Sequence, residues 1–152
     1  MPPKEPPAAA PLPRVRPYTL SILVMPNQAN HLGVMHGGHM LSFMDMAAWV
    51  LAARAVEPDQ TVFFKAVTDC VWSSPIRAGE VCNVTATLAG VGRTSLRVAL
   101  EARAEDPAAK VERDVCRAVF TMVTAGDDGL PEPVRLAGRT RRRPASRRAG
   151  RS

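Results

Sequence analysis

The 152-residue sequence has no CxxC pair, no extended apolar run and, in its last 18 residues, no acid at all. The three cysteines, Cys70, Cys82 and Cys116, are odd in number and far apart, which fits neither a disulfide framework nor a zinc site and points to a reducing cytoplasm. The longest apolar stretch, Met40 to Ala53, is broken by Ser42 and Asp45 and falls short of the ~20 residues that cross hydrocarbon, so no membrane span is expected. No apolar core of a secretory signal precedes it. The acid-free C-terminal stretch holds eight arginines, and the first 134 residues carry 12 bases against 14 acids. The formal charge of +6 therefore belongs to the tail. That tail has no aromatic residue to stack on bases, so it offers salt-sensitive, nonspecific attraction and no specific nucleic-acid site.

What is present is ample core material. With 46% apolar residues, general disorder is excluded and one compact domain is the default. Residues 1–17 hold seven of the 14 prolines and read as a flexible leader, residues 18–134 as the domain, and residues 135–152 as a disordered Arg-rich tail. Within the domain, Tyr18, Leu20, Ile22 and Val24 alternate with polar residues until Pro26, which predicts a first strand over 18–25. Gly37 and Gly38 open a segment, His39 to Val56, that is apolar on nearly every face and predicts a buried helix ended by Pro58. Beyond it the period falls to two. Strands are predicted over 61–72, 81–88, 95–104 and 111–124, the last apolar on both faces in its second half, as in the middle of a sheet. Consecutive strands with short turns imply an α+β fold: an antiparallel sheet wrapped around one long helix.

Chemistry is sought where a polar group sits in an apolar setting. Asp45 is the clearest case, with Leu41, Ser42, Ala48 and Trp49 as its helical neighbours. A carboxylate there costs several kcal/mol unless it is solvated or hydrogen-bonded, which suggests a pocket or an interface. A helix dipole is the competing explanation, but Asp45 lies beyond the first turn, where that effect fades. Before the helix, Asn30, His31, Gly33, His36, Gly37 and Gly38 form a polar, glycine-rich loop whose open backbone N–H groups could receive an oxyanion, although glycines also serve plain turns. His31, His36 and His39 lack carboxylate or cysteine partners at ligand spacing, so no metal site is expected.

The run Pro26-Asn27-Gln28-Ala29-Asn30-His31-Leu32-Gly33-Val34-Met35-His36-Gly37-Gly38-His39-Met40-Leu41-Ser42-Phe43-Met44-Asp45 resembles the signature of hotdog-fold acyl-CoA thioesterases, in particular the cytosolic acyl-CoA hydrolases. Ser74 to Glu80, Val91 to Leu96, and Phe120 to Val123 followed by Asp128 to Val134 resemble later segments of the family in the same order. The resemblance spans residues 20–134 and leaves out leader and tail. Gln28 departs from it, standing where many relatives carry an acid; His36 stands where bacterial relatives often have an aromatic residue.

The resemblance implies a hotdog fold that pairs into homodimers, which assemble into a hexamer as a trimer of dimers. It implies an active site shared between subunits, with Asn30 from one and Asp45 from the other, hydrolysing acyl-CoA to a carboxylic acid and CoA. Asp45 would act as general base or as a nucleophile forming a mixed anhydride, Asn30 would orient water or thioester, and the Gly37 and Gly38 amides would hold the oxyanion. Arg93, Thr94 and Ser95 would contact CoA, a solvated turn being their other reading. No cofactor is implied, CoA being part of substrate and product. The alternative function is a non-catalytic hotdog module that binds acyl-CoA as a sensor or regulator; it would not need Asn30 and Asp45 together.

Overall fold

The computed structural model describes residues 12–138, so most of the expected leader and tail lies outside the described residues. The order is β1 (Tyr18–Leu23), a 3-10 turn (Pro26–Gln28), α1 (Gly37–Ala55), β2 (Thr61–Trp72), β3 (Val81–Val91), β4 (Ser95–Asp106) and β5 (Val111–Ala125). The strands form one antiparallel sheet in the order β1-β3-β4-β5-β2, and α1 touches all five. The predicted strand–helix–four-strand succession is therefore what forms. β5 takes the interior position that its two apolar faces require.

The alternation in β3 and β4 decides which face wraps the helix. Cys82, Val84, Ala86 and Leu88 and, across the ladder, Leu96, Val98, Leu100, Ala102 and Ala104 are buried, while Thr87, Arg97, Glu101 and Arg103 face water. Opposite them α1 buries Met40, Met44, Ala47, Ala48, Leu51, Ala52 and Ala55. Four alanines on that face let the helix approach the sheet closely, with Leu51 and Met44 filling the gaps. Each such large side chain contributes roughly 1.5–3 kcal/mol, and truncating Leu51 to Ala would cost about 2–5 kcal/mol.

Some boundaries shift for local reasons. β1 ends at Leu23 because Val24 leaves the ladder: its N–H donates to the Glu80 carbonyl at 2.9 Å and its carbonyl accepts from Gly79 at 2.8 Å. Gly79 sits at φ +90, a conformation that favours glycine. Arg135–Gly138, read from sequence as the start of the tail, are fastened to the fold. Arg135 pairs with Asp59 through both guanidinium nitrogens at 2.9 Å, Glu57 N–H donates to the Arg135 carbonyl at 2.8 Å, and Ala137 N–H donates to Ala55 at 2.9 Å.

α1 is not buried all round, as its composition suggested. Gly37, Gly38, Ser42, Met46 and Trp49 are exposed along one stripe, Met46 by 45% and Trp49 by 49%. β2, an edge strand, is covered at Val62 but exposes Phe63, Phe64, Val71 and Trp72, and its ladder with β5 is broken by shifts at Phe64/Ala66 and Thr68/Val71. The single chain thus leaves an apolar stripe of helix and an apolar edge strand uncovered, which monomers rarely do over a large area.

Candidate active site

The loop between β1 and α1 is built around Asn30. Its Oδ1 accepts from Leu32 N–H at 2.9 Å and Val34 N–H at 3.1 Å, and its backbone carbonyl accepts from Gly33 at 2.9 Å, where φ of +72 calls for glycine. Asn30 thereby closes its own turn. The amide Nδ2 has no partner among the described residues and remains a free donor. The turn before β3 holds this loop in place: Met35 N–H donates to Ile76 and Ala78 N–H to Gly33, at 2.9 and 3.0 Å. That turn is in turn clamped by Arg113, which reaches Glu80 at 2.6 and 2.7 Å and the Pro75 carbonyl at 2.6 Å. The guanidinium holds the Glu80 carboxyl below its usual range.

Gln28 has a local use consistent with its lost charge. Its Oε1 accepts from Met25 N–H at 2.9 Å and its carbonyl from His36 N–H at 3.0 Å, which aims the chain into α1. The helix then begins without a side-chain cap on His36. Gly37 and Gly38 occupy its first two positions, where N–H groups lack intrahelical acceptors. A Cβ on Gly38 would meet nothing within 4 Å, whereas one on Gly37 would lie 3.4 Å from Cζ2 of Trp72. Trp72 closes one side of a cavity of about 380 Å3, shared with Val34, Met35, Gly37, Ser73, Ser74 and Pro75. Sequence reasoning passed over Trp72 as strand material; an aromatic three residues before the Pro75 turn was the available signal.

Asp45 lies on the open stripe of α1. Its Oδ1 is buried without any hydrogen-bond partner among the described residues, and burial raises its carboxyl above the ordinary 3.8. No compensating cation or donor offsets that cost. Burial of this kind strengthens a carboxylate as a proton acceptor. The thiols are poorly placed for nucleophilic work by comparison: burial pushes Cys82 up to about 11 and Cys116 up to about 12. No group of three or more His, Cys, Asp or Glu among the described residues is arranged to hold a metal ion.

The sequence-predicted residues do not all meet within one chain. Asp45 follows Gly38 by two helical turns on the same face, ~10 Å along the axis. Arg93, Thr94 and Ser95 form the β3–β4 turn, ten residue steps along β3 from the turn that supports Asn30, or ~33 Å. The backbone there is structural: Arg93 accepts from Val134 N–H at 2.8 Å and Thr94 from Thr124 N–H at 2.9 Å. The Arg93 side chain is exposed and in no ion pair among the described residues. One protomer therefore displays three separated groups: Asn30 with Gly37 and Gly38, Asp45, and the Arg93 turn.

Comparison with known proteins places this arrangement. The sequence profile of the Thioesterase superfamily matches residues 32–110. Protein VdlD of Helicobacter pylori is 31% identical over 115 residues, covering 76% of this chain and 64% of VdlD, so the chain spans less than two thirds of that relative's length. An uncharacterized acyl-CoA thioester hydrolase of Zymomonas mobilis is 30% identical over 141 residues, covering 90% of this chain and 87% of that protein. Among solved structures, a hexameric thioesterase from Yersinia pestis superposes with a TM-score of 0.71 at 25% identity, over 82% of this chain and 98% of that one. The sheet wrapped around α1 is the hotdog fold, and with a matched profile over half its length the chain belongs to the Thioesterase superfamily.

Proposed function

We propose that the protein is an acyl-CoA thioesterase whose active site is completed across a homodimer. The observation that carries this is the Asp45 carboxylate, partly buried on an otherwise open helical stripe with Oδ1 unpartnered. Among the described residues no group hydrogen-bonds to Oδ1, and the free N–H groups of Gly37 and Gly38 stand ~10–12 Å away by helical rise, beyond the ~3 Å reach that proton transfer needs. A second copy, joined edge to edge through β2 about a two-fold axis, brings the Asn30 loop of one chain to Asp45 of the other and covers Phe63, Phe64, Met46 and Trp49. The relative from Yersinia is hexameric, and dimers of this chain assemble further in the same way.

In that site Asp45 takes a proton from water as the water oxygen bonds to the thioester carbonyl carbon. The negative charge on the carbonyl oxygen is received by the Gly37 and Gly38 N–H groups, whose donors are fixed before the reaction begins. Asn30 Nδ2 orients the incoming group, held in aim by the two bonds its Oδ1 accepts. When the tetrahedral intermediate collapses, the C–S bond breaks, CoA leaves as thiolate, and the proton held by Asp45 passes to that sulfur, which regenerates the carboxylate. The cavity beside Trp72 receives the apolar stem of the substrate. The Arg93 turn of the partner chain lies nearest the phosphates of CoA, where an arginine fork suits phosphate oxygens. No helix among the described residues is long and apolar enough to cross a membrane, and the three free cysteines fit a cytoplasmic enzyme.

The test mixes two defective proteins. Asn30→Ala and Asp45→Asn homodimers, each assayed for thiol release from acyl-CoA, are expected to be weak, and exchanging their subunits should restore part of the activity because some heterodimers contain one intact pair. Exchange that is demonstrated by mass spectrometry yet restores nothing would rule out a shared site.

A further inference from the structure

A second concave region lies at the far end of α1, ~25 Å by helical rise from Gly37 and Gly38. Its volume is about 490 Å3, within the range of small-molecule sites, and it is lined by Pro13, Arg14, Val15, Arg16, Arg54, Ala55, Leu136, Ala137 and Gly138. Three exposed arginines are among the lining residues, and among the described residues no acid is. Among the described residues none of the three arginines is in an ion pair. The acids nearest in sequence are engaged elsewhere or turned away: Asp59 binds Arg135, and Glu57 does not line the cavity. Arg54 is further held by stacking over Tyr18, with Cζ 5.0 Å from the ring centroid, which fixes its side chain before any ligand arrives.

Three exposed arginines without a counter-ion among the described residues make a locally positive surface, and an anion carrying more than one charge complements it. The floor, made of Pro13, Val15, Ala55, Leu136 and Ala137, is apolar and suits an organic portion beside the phosphates. Gly138 on the rim is followed directly in sequence by Arg139 and six more arginines, which raise the local concentration of any polyanion.

We infer that the cavity between Arg14, Arg16 and Arg54 is a binding site for a small organic phosphate with two or more phosphoryl charges. Two sources have that chemistry: the phosphate end of a CoA ester bound at the site proposed above, or a separate phosphorylated ligand. Only the first depends on the proposed function.

Calorimetric titration of the full-length protein with pyrophosphate, ADP and free CoA reads binding without reference to catalysis. Saturable binding is expected at low salt, weakening as ionic strength rises. The Arg14→Ala/Arg16→Ala double variant, altered only in the chain before β1, should bind each probe about tenfold or more weakly, and Arg54→Ala likewise. In the double variant, a raised KM for acyl-CoA at constant kcat assigns the site to CoA itself, and an unchanged KM assigns it to a separate ligand. Removing residues 139–152 should reduce affinity less than the double variant does. No saturable binding to any probe, or binding that survives the double variant and disappears with the tail, would overturn the inference.

Discussion

Replacing Asp45 with Asn separates catalysis from folding, because the structure gives the carboxylate a cost and no structural return. Its Oδ1 has no partner among the described residues and burial raises its protonation point above 3.8. The folded chain therefore holds the proton more tightly than the unfolded one. Between pH 3.8 and that raised point, the unfolded state ionises first, so Asp45 lowers stability as pH rises and the deficit persists at neutral pH. Asn keeps the shape and removes the charge.

Two readouts should consequently move in opposite senses. Turnover should fall by a factor of about 10² to 10⁴, the usual worth of a positioned general base, equivalent to about 3–5 kcal/mol in the barrier. The melting temperature at pH 7 should stay level or rise, and the gap between variant and parent should close as pH drops below 3.8, where Asp45 is neutral in the folded and the unfolded parent alike. Thiol release from acyl-CoA measures the first and thermal denaturation across pH the second. In the parent, the acidic limb of the rate profile should lie above the ordinary aspartate value of 3.8. Full activity in Asp45→Asn would refute the catalytic assignment, and a clear loss of stability at pH 7 would show that the carboxylate is held by a structural bond.

Asn30→Asp keeps the acceptor for Leu32 and Val34 N–H but lacks the Nδ2 donor, so it should fold like the parent and lose turnover; Asn30→Ala should lose turnover and also about 1–3 kcal/mol from the two unsatisfied loop amides, as read by denaturant titration. Arg113→Ala releases the turn that supports the loop, costing roughly 1–2 kcal/mol for a half-exposed clamp. Because Arg113 holds the Glu80 carboxyl below 4.5, that contribution is complete above the ordinary value and fades as pH falls through the lowered one, so parent and variant should converge in acid melts. Truncation after Val134 removes the Arg135 and Ala137 bonds and leaves Gln60 Oε1 without the Arg135 N–H; it should lower Tm by about 2–6 °C, whereas truncation after Gly138 retains every one of these contacts.

The succession of elements along the chain was legible because it follows from period and turn chemistry, whereas the pairing of β2 with β5, not with β3, was not. The alternation of β3 and β4, the two-sided β5 and the glycine pair at the start of α1 each have a single economical solution around one helix. The exposure of α1 was not legible. Ser42, Met46 and Trp49 read as apolar or small residues of a buried helix, and only the packed sheet determines which stripe it leaves bare. Arg135 was similarly masked by the arginines after it: composition cannot distinguish a residue bonded to Asp59 from those in a solvated run. Asp45 stood out because charge in an apolar context is conspicuous, while Trp72 did not because an aromatic in a strand is ordinary.

An edge strand exposes Phe63 and Phe64, a helical stripe exposes Met46 and Trp49, and on that helix the Asp45 Oδ1 is buried with no hydrogen-bond partner among the described residues. Each is unfavourable in isolation, and ordinary selection for a stable monomer would replace them with polar surface and an alanine. In the proposed dimer, a partner that covers these aromatics would exclude water from around Asp45 and raise its protonation point further, so that burying the interface would also prepare the proposed base. It follows that dilution below the dimer dissociation constant should abolish turnover more steeply than it unfolds the chain, since the protomer retains its core around Leu51 and Met44 when the interface is lost.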